Sequence, residues 1–424
     1  MILVLISSNL FAQVEPESLY GKIIKEIRIE GLKRTKEYIV TRELISKVGE
    51  SLLKENLDRE HQRLELLDIF SKITITPSVQ DDGVLLTYSF VETFPFLPSI
   101  SIQITDENGI SAGAGLKSPN LLGRDISFSG RLLLGGATTV ELLLENPWVT
   151  GNHLGYKVEY YHRERENQIA NFNEKADEFY LNIGSYLGEH GRIVGSFEFL
   201  SIRSDTDNAM LSPDNHDEVS RFALHLGYDN RDAFSDTHRG WWNDLAFSRE
   251  MKIFNSDSDF YQVDLDIRRY IPLADRHTLA LFSLTTLRTG TVGEHVAPWQ
   301  LFGIGGTNTV RGWEYAARTG KNQFINTLEY RFTIIEPRLI MLPFNIPYKG
   351  GIHLAVFGDL GIGWDQKNEF TTKNFIGGYG VGVRLMLPIV GIMRIDFGWG
   401  QPGKAIMIHL GAYEKPVVAR KRVR

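Results

Sequence analysis

The chain has 424 residues, room for two to three domains, and its 46 Lys+Arg against 52 Asp+Glu leave a formal net charge of −6. That balance lacks the clustered basic footprint of a nucleic-acid binder, and the absence of cysteine excludes disulfides, thiolate metal sites, a cysteine nucleophile and a lipoprotein anchor. With 40 Gly, 24 Phe, 16 Tyr and 7 Trp, the composition favours strands, tight turns and membrane interfaces.

Ile2 to Ile6 is apolar, and Leu10-Phe11-Ala12 offers a peptidase site before Gln13, so residues 1–12 read as a candidate signal peptide. No Lys or Arg precedes the run, which leaves a truncated start or a strand fragment as alternatives. No later segment reaches the roughly 20 apolar residues of a spanning helix. Residues 20–93 carry the helical pattern. Ile27 and Ile29 alternate with Arg28 and Glu30 in a strand ending at Gly31. Thr35 is placed to cap a helix running to Leu44, and a second helix from about Leu57 to Phe70 puts Leu57, Leu64 and Leu67 on one face. Strands Lys72–Thr76 and Val84–Glu92 follow, joined through Asp81-Asp82-Gly83. This β-α-α-β-β order, with Glu30-Gly31, Arg34-Thr35 and Val91-Glu92, resembles a POTRA domain; any small α+β module is the alternative.

From Leu97 onward the helical period stops and segments of about 8 to 12 residues alternate. Phe222, Leu224, Leu226 and Tyr228 interleave with Arg221, Ala223, His225 and Gly227. Tyr261, Val263, Leu265 and Ile267 do so with Gln262, Asp264, Asp266 and Arg268, and Met393, Ile395, Phe397 and Trp399 with Arg394, Asp396 and Gly398. A soluble sandwich has the same period, but here the polar face carries charges strand after strand. That suits a membrane barrel, apolar toward lipid and polar toward its lumen. It must close, because an open edge in hydrocarbon leaves backbone groups unpaired. The expected fold is therefore mainly β: a transmembrane antiparallel barrel of about 16 strands over residues 97–414, behind one α+β domain, with a basic tail at 415–424. If the first strand rises from the periplasm, short connections such as 119–123 and 387–391 fall inside. Polar ones such as 163–175 and 204–217 fall outside.

The longest outward connection, about 293–321, holds Gly305-Gly306-Thr307-Asn308-Thr309-Val310-Arg311-Gly312-Trp313. Val and Trp gain from burial, which such a loop finds only by folding back inside. Val310-Arg311-Gly312-Trp313 resembles the loop signature of the BamA/TamA and two-partner-secretion superfamily, the bacterial surface antigens. The resemblance implies that the loop tucks into the lumen and that Arg311 meets acidic residues of the wall. Phe357-Gly358-Asp359-Leu360-Gly361 matches the family's Phe-x-Asp-x-Gly strand motif, and Glu329 stands where the family has a second acid. The strand period separately turns both carboxylates inward, with Leu360, Ile362 and Trp364, and Leu328, Tyr330 and Phe332, facing lipid. Asn120-Leu121-Leu122-Gly123, Asn146-Pro147-Trp148 and Asp229-Asn230-Arg231-Asp232 resemble the family's turns. BamA itself carries several POTRA domains, where this chain has room for one.

The barrel closes by pairing its first strand, Pro98–Thr105 with Ser99 and Ile102, to its last, Ala405–Tyr413 with Ile406 and Ile408. Pro95, Pro98 and Pro402 cannot donate ladder bonds, so this seam is expected to be the weakest. Gly109-Ile110-Ser111-Ala112-Gly113 fits a hydrolase elbow only if a helix follows, and a strand pattern follows instead. Gly377, Gly378, Gly380 and Gly382 suit close packing against an inserted loop. The 11 His show no metal-ligand spacing, and the acidic tract 205–217 reads as a solvated loop, with calcium binding the alternative. No enzyme and no cofactor are expected. The resemblance implies insertion, assembly or translocation of polypeptides at the bacterial outer membrane by lateral opening of the barrel. Its partners would be outer-membrane or secreted polypeptide clients, the lipid bilayer and periplasmic accessory proteins, and no nucleic acid. A passive secretion pore for a dedicated partner and a structural surface-antigen barrel are the alternatives.

Overall fold

The computed structural model describes residues 19–412 apart from 152, 233–235, 253–254, 343–345, 388–390 and 405. The candidate signal segment and the basic tail lie outside the described residues. Two compact units divide the chain: the residues up to Pro95 with Pro119–Ile126, and Phe96–Ser118 with the residues from Ser127.

The first unit contains β1 (Ile24–Glu30), α1 (Glu37–Thr41), α2 (Lys54–Leu66), β2 (Phe70–Gln80) and β3 (Gly83–Glu92). Its sheet order is β1-β3-β2, with β1 parallel and β2 antiparallel to the central strand. Ile39, Val40, Leu57 and Leu64 from the helices pack on Ile24, Val84, Leu86 and Tyr88 of the sheet. Two expectations fail locally. Thr35 caps nothing: α1 has only five residues and starts after Lys36 without a side-chain cap. Instead the Thr35 N–H donates to Glu92 Oε1 at 2.7 Å, and its hydroxyl accepts from Asn120 Nδ2 at 2.8 Å. The second helix stops at Leu66 rather than Phe70, because Asp68 turns left-handed (φ 58°) and Phe70 already belongs to β2. Glu60, fully buried on α2, accepts the Ile45 N–H (2.7 Å), the Ser46 N–H (2.5 Å) and the Tyr88 hydroxyl.

The second unit holds β4 (Leu97–Thr105), β5 (Gly109–Leu121), β6 (Ile126–Gly135), β7 (Thr138–Thr150), β8 (Leu154–Asn167), β9 (Phe172–Leu187) and β10 (Gly191–Ser204). Then come β11 (His216–Asp229), β12 (Gly240–Glu250), β13 (Phe260–Ala274), β14 (His277–Arg288), β15 (Phe302–Ile304) and β16 (Arg318–Gly320). The chain ends through β17 (Asn322–Leu342), β18 (Ile346–Trp364), β19 (Ile376–Leu387), β20 (Gly391–Trp399) and β21 (Met407–Ala412). Strands β4–β14 and β17–β21 form one 16-stranded sheet in sequence order, while β15 and β16 pair only with each other. The first and last strands, β4 and β21, approach within 8 Å between Cα atoms, yet no ladder joins them among the described residues.

Alternation sorts the side chains as lipid and lumen require. Leu224, Leu226, Leu265, Leu328, Val356 and Val381 are exposed on the outer face. Inward charges pair across strands, as Arg192 does with Asp244 and Arg221 with Glu198, both at 3.0 Å. Ile362 shares the outer parity but is fully buried rather than lipid-exposed. Residues 163–175, expected as a loop, are mostly strand: Arg163 and Arg165 both reach Glu174 across the hairpin at 2.7 and 2.6 Å, which extends β8 and β9. Asn146-Pro147-Trp148, expected as a turn, lies inside β7, where the register slips between Asn146 and Thr150. Ser99 and Ile102 lie on β4 and Ile408 on β21, but Ile406 precedes the last strand, which is shorter than expected after Pro402-Gly403.

Candidate functional site: the loop within the barrel

The connection from β14 to β17 is long, and the small β15–β16 hairpin stiffens its base. Its tip folds back against the strands because its apolar residues find a core there. Val310 is fully buried with Ile304, Ile325 and Ile376, and Trp313 packs beside them while its Nε1 donates to the Gly377 carbonyl at 2.8 Å. Gly312 adopts a left-handed φ of 86°, and a side chain there would strike the backbone of Trp399. On the wall, a Cβ on Gly398 would come within 2.6 Å of the Gly312 nitrogen, and one on Gly378 would collide with the Arg311 carbonyl. Missing side chains on both partners thus let two backbones touch.

This seating delivers Arg311 into a buried ionic cluster. Its Nε and Nη2 donate to the two oxygens of Asp359 at 2.7 and 2.8 Å, and its own backbone N–H adds a third bond at 3.0 Å. Nη1 donates to Glu329 at 3.1 Å and to Asp396 at 3.2 Å. The guanidinium carbon lies 3.4 Å from the Phe357 ring centroid. Arg384 bridges the same two acids, at 2.6 Å to Glu329 and 2.5 Å to Asp396, while Arg331 donates to Glu329 at 2.7 Å. Thr327 donates to Asp359 at 2.8 Å. Three guanidinium groups therefore face three carboxylates and the charges balance, with all but the partly buried Arg331 shielded from water. Such a cluster holds a loop in one geometry, because each carboxylate is shared and the fork of Arg311 is read from three sides. It contains no nucleophile beside a base, and among the described residues no group of three His, Cys, Asp or Glu could hold a metal ion.

The structure brings Arg311, Asp359 and Glu329 together. Sequence reasoning missed Asp396, Arg384 and Arg331, although each is flanked by outward apolar residues and so shows its inward parity. It also missed an apolar cluster of Phe172, Leu200, Ile202, Met210 and Val219, on which Trp299 of the long loop packs. Asp217, expected in a solvated loop, is fully buried there and accepts the Leu211 and Ser212 N–H groups and the Trp299 indole at 2.8 Å.

A sheet of 16 strands that holds an ion-paired loop, in a chain that also carries an α+β unit, defines the class as a β-barrel outer-membrane protein. The chain belongs to the Omp85 superfamily: the model of the Omp85 superfamily domain matches residues 120–407, and that of the surface antigen variable number repeat, the POTRA domain, matches residues 22–93. It is an outer-membrane protein with its N-terminal domain in the periplasm, and not an enzyme. It is 24% identical to the outer membrane protein assembly factor BamA of Nitratidesulfovibrio vulgaris over 92% of this chain and 50% of that protein, so it spans about half the relative's length. Among solved structures, BamA from Haemophilus ducreyi lacking POTRA domains 1–3 superimposes with a TM-score of 0.68 at 16% identity, covering 92% of this chain and 83% of that one. CdiB from Escherichia coli does so at 0.61 and 14%, covering 92% and 76%. At these identities the likeness concerns the fold.

Proposed function

We propose that this protein assembles outer-membrane polypeptides by opening the seam between β4 and β21, with the loop at Val310–Trp313 held in the lumen as its positioning element. The observation that carries this reading is the junction of the first and last strands, which no ladder joins among the described residues of a sheet whose other neighbouring strands are hydrogen-bonded. An unpaired edge is a template for a client strand, and apolar client surface would leave sideways into lipid. The ionic cluster and the packing of Trp299 near Asp217 argue against a freely open lumen. Clients are then outer-membrane polypeptides, delivered with the help of periplasmic accessory proteins that bind the N-terminal domain. A passive secretion pore predicts a different consequence: its depletion removes one secreted substrate, whereas depletion of an assembly protein lowers many outer-membrane barrels. Outer-membrane proteomics after depletion separates the two. The lateral step is tested by a disulfide between cysteines introduced on β4 and β21, in a chain with no cysteine of its own. The crosslinked barrel should stay folded and lose assembly until reduced. Full activity under oxidising conditions refutes lateral opening.

A further inference from the structure

The loop also touches both sides of the seam, through a residue outside the ionic cluster. Thr307 is buried, and its N–H donates to Asp106 Oδ2 at 2.6 Å while its hydroxyl lies 2.5 Å from Asp106 Oδ1. Asp106 begins the turn that follows β4. From the other side comes His409 of β21, also buried. The Gly312 N–H donates to His409 Nε2 at 2.8 Å, so a neutral imidazole carries its proton on Nδ1, which faces Thr307 Oγ1 at 3.2 Å. The threonine hydroxyl therefore accepts from His409 and donates to Asp106, one bond to each end of the sheet. Arg394 of β20 adds bonds to the Thr307 carbonyl and to Asn308 Oδ1, both at 2.6 Å. Gly306 makes the approach possible: at its φ of 96°, a Cβ would sit 2.6 Å from Asp106 Oδ2.

We propose that Thr307, bridging Asp106 and His409, is a clasp that couples seating of the loop to closure of the β4–β21 seam. The proposal rests on the lateral-opening reading for its functional meaning, but its geometry stands apart from it. Where no backbone ladder joins the described residues of β4 and β21, a side-chain relay from the loop takes its place. Because Thr307 and His409 are buried, loss of one bond leaves their polar groups unsatisfied, so the contacts release together. Thr307 is a positioning residue, acting on the strands and not on the client.

The test uses the full chain in lipid nanodiscs, with spin labels on cysteines placed at Ile102 and Ile408 to read seam width. A second pair at Arg318 and Lys373 reads loop position. Thr307→Val and Asp106→Asn should each raise the wide-seam population about tenfold, the size of one charge-assisted hydrogen bond. Thr307→Ser, which keeps the hydroxyl, should restore the narrow seam. With Arg311 intact, the loop distance should stay unchanged in Asp106→Asn. Asp106 is exposed in a turn, so its variant reports even if Thr307→Val fails to fold. An unchanged seam in Asp106→Asn, or a Thr307→Ser seam as wide as that of Thr307→Val, overturns the clasp. Assembly that persists across a disulfide-locked seam removes the lateral reading instead, without altering the distances.

Discussion

Replacing Arg311 by Ala tests the ionic cluster at its most constrained member. The structure specifies who loses what. Glu329 keeps Arg331 and Arg384, and Asp396 keeps Arg384. Asp359 loses both side-chain bonds and retains only Thr327 and the backbone N–H at position 311. The buried balance shifts from three against three to two against three, and breaking a buried pair costs about 3–5 kcal/mol. Lost contact with the Phe357 ring overlaps with that figure and is not added. The loop's docking equilibrium should therefore weaken roughly a hundred- to several-thousand-fold. Limited proteolysis of the loop reads undocking, and the denaturant midpoint of the barrel's heat-modifiable gel band reads global stability. The second substitution is the discriminating one: Asp359→Asn added to Arg311→Ala restores charge balance and should recover part of the loss. Arg311→Lys keeps the charge but loses the two-pronged bond, so it should fall between. If Arg311→Ala leaves the loop protected, or if the double variant simply sums its two costs, the argument from buried charge fails.

Gly398→Ala should displace the loop by steric contact alone, with a cost of about 1–3 kcal/mol and increased protease access near Gly312, because the new Cβ would meet the Gly312 nitrogen. In the N-terminal domain, burial acts to raise the Glu92 carboxyl, but hydrogen bonds from Thr35 and Arg34 outweigh it and hold it down to about 2. That lies below its ordinary value of 4.5, so the stabilisation is full above about pH 4.5 and is lost as pH falls toward 2. Glu92→Gln should cost about 2–3 kcal/mol at pH 7, allowing for a half-exposed Arg34, and nothing near pH 2; hydrogen exchange at Lys33–Thr35 that shows the same gap at both pH values contradicts this. Deleting residues 20–93 should leave a heat-modifiable barrel that has lost assembly activity, and normal activity in that variant would reduce the domain to a spacer.

Much of this protein is local information. A period of two determines the face of every strand residue before any partner is known, so Asp359 and Glu329 point inward on sequence grounds alone, and Arg384, Asp396 and His409 carry the same signal between apolar neighbours. Val310 and Trp313 in a polar connection likewise announce burial. What the period leaves open is which inward groups meet. Arg311 lies 18, 48 and 85 residues from Glu329, Asp359 and Asp396, and their convergence depends on register and on the path of a loop that strand patterning does not describe. The three-residue strands β15 and β16 are too short to show a period, and nothing local tells that the Thr35 hydroxyl, free in the sequence to cap a helix, is engaged by Asn120, 85 residues away. The lack of a ladder at the seam among the described residues belongs to the same class. Prolines near both strands hint at it, but only closure of the sheet brings β4 beside β21 and sets Thr307 between Asp106 and His409. Sequence periodicity specifies direction; distance between residues far apart in the chain is a property of the folded sheet.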